Sequence, residues 1–154
     1  MDPCTELSDE VAVQLNTATG YTFERRITAY YKRDDLVEGK WVVIAAGDAQ
    51  SIRGRDVDRT TLIVDVGYQI ALPESSEDYP DPVENRPFID AQMLIVENVK
   101  NPFRGEGSLR HESFLGFSFS NMTNTPIYRP DLLIDKQIFT AVIRLEFVGE
   151  IEAN

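Results

Sequence analysis

Residues 60–72 read TTLIVDVGYQIAL, and in them Leu62, Val64, Val66, Tyr68, Ile70 and Leu72 alternate without a break. Asp65, Gly67 and Gln69 fill positions between them. Successive side chains of a strand point to opposite faces, so this run offers one apolar and one polar face. An antiparallel sheet covered on one side asks for such a strand. The run IFTAVIRLEFVG at 138–149 repeats the pattern, with Phe139, Ala141, Ile143, Leu145 and Phe147 on one side and Thr140, Arg144 and Glu146 on the other.

Working outward, KWVVIAA at 40–46 is a second strand that pairs with 60–72 as a hairpin, leaving residues 47–59 as an extended arm. YTFERRITAYYK at 21–32 is β-branched and aromatic, and reads as a strand with Tyr21, Phe23, Arg25, Ile27, Ala29 and Tyr31 on one face. FLGFSFS at 114–120 alternates again. Two segments carry the helical period instead. In 5–17, Leu7, Val11 and Leu15 form a stripe behind a Ser8 cap with Asp9 and Glu10, and Gly20 marks the exit. In 88–100, Phe88, Ala91, Ile95 and Val99 form another, widened by Ile89, Met93 and Val96, entered from Pro87 and stopped by Asn101 and Pro102. Residues 73–87, with four prolines and five acids, form a loop, and 103–111 and 121–130 are connectors. The expected architecture is one α+β domain over 1–154: an antiparallel sheet of about five strands with two helices packed on one face, and tails at 1–4 and 150–154.

Charge narrows the function. There are 15 Lys+Arg against 26 Asp+Glu, a formal net charge of −11. Such a surface repels a phosphate backbone, which argues against a DNA-binding protein. The arm holds IRGRDVDR at 52–59, where Asp56 and Asp58 offset two of the three arginines Arg53, Arg55 and Arg59. A self-compensating set of this kind suits ion pairs across a protein contact better than a phosphate clamp. The N-terminus is acidic and lacks the apolar core of a secretory signal, and no run approaches the ~18 apolar residues of a membrane span, so synthesis and folding in the cytoplasm are expected.

Catalytic and metal signatures are thin. Cys4 is the one cysteine and cannot form an intramolecular disulfide. His111, the one histidine, reads as a connector residue, since neighbouring Glu112 and Ser113 do not make a triad by adjacency. One Cys and one His give zinc no usual ligand set. Glu74, Glu77, Asp78, Asp81 and Glu84 lack the spacing and turn glycine of a calcium loop. No phosphate-cradling glycine motif occurs. No cofactor is expected.

Three segments carry a resemblance: KWVVIAAGDAQSIRGRDVDRTTLIVDVGYQIAL, the helix PFIDAQMLIVENVKNPFRG, and TPIYRPDLLIDKQIFTAVIRLEFVG. In their order and spacing they resemble the tail-terminator (tail-completion) proteins of long-tailed bacteriophages, over roughly residues 5–150. The acidic tract at 74–86 is longer and richer in proline than that family's pattern. The resemblance implies a structural virion protein rather than an enzyme. Such proteins form a ring, typically a hexamer, on the head-proximal end of the tail tube. They end tube polymerisation and offer a docking surface to the neck, and DNA passes through the lumen without specific binding. The implied partners are other copies of the chain, the tube protein and a neck or head-completion protein, in a virion assembled in the host cytoplasm. Ring closure needs heterologous contacts, for which the candidates are Arg53, Arg55, Asp56, Asp58 and Arg59 of the arm, then Arg25 and Arg26. The acids at 74, 77, 78, 81 and 84 are candidates for the lumen. A head-completion or adaptor ring is the neighbouring alternative, and a small hydrolase or ligand-binding domain the distant one.

Overall fold

The computed structural model describes residues 2–27, 33–53, 57–73 and 86–152. The chain is α+β. Helix α1 (Pro3–Thr19) is followed by β1 (Phe23–Arg25), a 3-10 turn (Arg33–Leu36), and the long strands β2 (Lys40–Arg53) and β3 (Val57–Ala71). Helix α2 (Arg86–Lys100) runs into a second 3-10 turn (Asn101–Phe103), then β4 (Ser113–Phe114), β5 (Phe117–Thr123), α3 (Pro130–Lys136) and β6 (Ile138–Glu152). The strands form one six-stranded sheet in the order β1-β2-β3-β6-β5-β4.

The alternating runs lie at its centre. β3 pairs antiparallel with β6 from Val57↔Glu152 to Ala71↔Ile138, and with β2 from Lys40↔Gln69 to Arg53↔Asp58. Leu62, Val64, Val66 and Tyr68 meet Phe147, Leu145, Ile143 and Ala141 on one buried face. Helix α1 covers it with Leu7, Val11 and Leu15, all fully buried. Val96 and Val99 of α2 and Leu133 of α3 join the same core.

Several expectations need correcting. The sheet is mixed and six-stranded, because β1 runs parallel to β2 at Phe23↔Trp41 to Arg25↔Val43. Phe23 is seated on Trp41 with ring centroids 5.2 Å apart. The expected strand at 21–32 thus stops at Arg25, and Ile27 is 91 % exposed; residues 28–32 lie outside the described residues. β2 does not end at residue 46. A bulge at Gly47, whose φ of +106° suits a residue without Cβ, breaks the alternation while the pairing continues to Arg53. The arm expected at 47–59 is therefore ladder, apart from residues 54–56, which are not described.

Helix α1 starts at Pro3, not near Ser8. Asp2 caps it, its carboxylate accepting from Thr5 N at 3.1 Å, and proline suits the first turn. Ser8 lies inside the helix with its hydroxyl donating to Cys4 O at 2.7 Å. The expected tail at 1–4 thus includes buried helix: Cys4 is 2 % exposed, its thiol donating to Ile63 O at 3.3 Å. At the other end, residues 150–152, expected in a tail, belong to β6. Helix α2 begins at Arg86; Val96 and Val99 of the expected stripe are buried, but Gln92 is buried as well and Ala91 is exposed. Gln92 is inside because Tyr68 donates to its Oε1 at 2.6 Å. Burial pushes the Tyr68 hydroxyl up to about 12, with Tyr21 a lesser cause.

Strand 114–120 is a hairpin, β4–β5, turning at Leu115 and Gly116 with φ of +56° and +88°. Helix α3 falls between the expected connector and the last strand; Pro130 begins it and Gln137, in the left-handed region, ends it.

Candidate functional site

The predicted contact residues are scattered by the fold. Arg53 and Asp58 face each other across the β2–β3 ladder, and Arg59 is exposed on β3 opposite Ile52. The side chains of Arg53 and Asp58 lie outside the described set, as do residues 55 and 56 altogether. The segment that bears them is not a bare two-stranded arm: β6 runs along its other side, pairing residues 148–152 with 57–61. Arg25 has a partner within the chain, Asp9 of α1, at 2.9 Å. Arg26 donates its backbone N–H to Val43 O at 3.0 Å, extending the β1–β2 pairing. Glu74, Glu77, Asp78, Asp81 and Glu84 lie outside the described residues.

The sheet's second face gathers polar residues the sequence placed on the right side but did not bring together. Residues that face each other across strands share a face, so Asp65 of β3, Arg144 of β6 and Thr123 of β5 form one row. Arg144 donates from Nε to Asp65 Oδ1 at 2.9 Å and from Nη2 to Oδ2 at 3.0 Å. Asp65 and this hydrogen bond raise the pKa of the guanidinium, with Glu146 adding to the effect. One row along, Asn121 donates to Glu146 Oε2 at 3.1 Å.

Beyond Thr123, the chain leaves the sheet but stays beside β6. Asn124 Nδ2 donates to Val142 O at 2.8 Å, and Arg129 N donates to Thr140 O at 2.8 Å. Between them lie Thr125 and Pro126, joined by a cis peptide bond. The segment is clasped from behind. Lys100, at the end of α2, is nearly buried and donates to Asn124 Oδ1 at 3.2 Å and Glu97 Oε1 at 2.8 Å. Arg104 bonds the other Glu97 oxygen. These two bonds, Lys100 first, hold the Glu97 carboxyl below its ordinary value. Loop and sheet enclose an open cleft of about 520 Å³ lined by Asp65, Thr123, Thr125, Pro126, Arg129, Val142 and Arg144. At its rim Arg129 forks onto Asp131, Nε to Oδ1 at 3.1 Å and Nη2 to Oδ2 at 3.0 Å. That contact lowers the Asp131 pKa.

The rest of this face is partly closed. Leu36, fully buried, folds against β3, and Gln69 donates to Thr140 Oγ1 at 2.9 Å in a buried pair. A second groove of about 320 Å³ runs between α1 and residues 108–112, with Val13 and Leu109 in its wall. His111 is exposed on the adjoining turn. Among the described residues no group of three or more His, Cys, Asp or Glu side chains could hold a metal ion, and no helix is long and apolar enough to cross a membrane. The cleft offers guanidiniums, a carboxylate and hydroxyls, groups that can engage a polar ligand by hydrogen bonds and charge.

No protein-family model matches the chain, and no curated protein matches it in sequence.

Proposed function

We propose that the chain is a ring-forming structural protein of a bacteriophage virion, a tail terminator that closes the head-proximal end of the tail tube and docks the neck. The reading rests first on the resemblance in segment order. The folded chain keeps that order: a strand that ends at Arg53, a returning strand from Val57, helix α2 running into the Phe103-Arg104-Gly105 turn, then α3 and the last alternating strand.

The observation that carries it is the ribbon. Strands β2, β3 and β6 each run 14 or 15 residues, while β1 pairs with only part of β2 and β5 with only part of β6. At ~3.3 Å per residue, the ribbon spans about 50 Å, longer than the helices need for a bed. Its far end falls within the sequence IRGRDVDR, whose charges nearly cancel. Such an end suits a directional contact with a different patch on the next copy, the kind that closes a ring. The net charge of −11 suits a lumen along which DNA slides without binding.

Electron microscopy of the purified protein, and of phage made without it, tests the proposal. The expected outcome is a ring, hexameric by the resemblance, formed at high concentration or on tube ends, with overlong tails in its absence. A strict monomer that never joins tube protein, together with tails of normal length, would refute it. Contact with the portal in place of the tube would assign the ring to the neck adaptor instead. Replacing Arg53, Arg55 and Arg59 together by alanine should weaken assembly and leave the monomer folded.

A further inference from the structure

We draw no further inference here: the strongest candidate, the groove of about 320 Å³ between helix α1 and residues 108–112 with Val13 exposed in its wall, carries nothing because no feature of the structure shows what covers it.

Discussion

Replacing Phe147 by alanine tests the sheet register at its most sensitive point. Phe147 is fully buried, paired with Leu62 of β3 on one side and Phe119 of β5 on the other. Its ring meets Phe114 at 4.9 Å, Phe119 at 6.1 Å and Phe103 at 6.5 Å, each edge-on. The residue thus joins the β4–β5 hairpin and the turn after α2 to the central strands. Truncating a buried phenylalanine costs about 3–5 kcal/mol, and three edge-on partners put this one near the middle of that range. Against about 5–15 kcal/mol for a whole domain the variant stays folded. With a urea m-value of about 2 kcal/mol/M, the midpoint should fall by about 2 M. Phe147→Leu should lose only about 1 kcal/mol, since most of the apolar volume remains. A one-residue slip of β6 would carry residue 147 to the second face. A Phe147→Ala loss below about 1 kcal/mol, no larger than that of exposed Val13→Ala, would therefore refute the register and the packing derived from it.

The Asp65–Arg144 pair should show a coupling below about 1 kcal/mol in a double-mutant cycle, because the arginine is half in water, and the coupling should shrink in about 1 M salt. Glu97→Gln should destabilise the protein more at pH 6 than at pH 3: the lowered pKa of Glu97 gives a contribution present above 4.5, its unfolded value, and lost as pH falls through the lower folded value. Equal gaps in urea midpoint at both pH values would show that the Lys100 and Arg104 contacts do not form in solution. Gly107→Ala would drive a Cβ into the carbonyl oxygens of Asn101 and Pro102, backbone atoms that cannot swing aside. A loss of about 2–3 kcal/mol is expected, read as a fall of about 5–10 °C in Tm.

The central strands were legible because period-2 alternation is local: Leu62 to Tyr68 and Phe139 to Phe147 declare their buried face without help from the rest of the chain. Helix α1 was legible in its stripe and misread at its start, because Ser8 is a good cap in isolation and Asp2 with Pro3 is a better one. What failed depended on partners. The parallel course of β1 beside β2 is a pairing that no local pattern announces, and α3 hides in seven residues behind Pro130. Gln92 and Gln69 look like surface residues until Tyr68 and Thr140 are placed against them. The cleft shows the same limit. Asp65 and Arg144 each fell on the polar side of its own strand, but their meeting needs a register between segments 79 residues apart. The Lys100–Asn124 bond, between α2 and a loop, left no sequence signal that spacing could reveal.

The pairing of Val57 with Glu152 has a practical side. Partner residues of an antiparallel ladder lie about 5 Å apart, so anything fused after Glu152 starts its path beside the tip that bears IRGRDVDR. A purification tag or fluorescent protein placed there would crowd that tip and could mimic an assembly defect in an otherwise sound protein. A label before Pro3 begins at the α1 end, beside Ile63 and Gly47 rather than the tip. Tagging at the front therefore keeps the ribbon end accessible, and a dye introduced near residue 150 turns the same proximity into a reporter of whatever the tip touches.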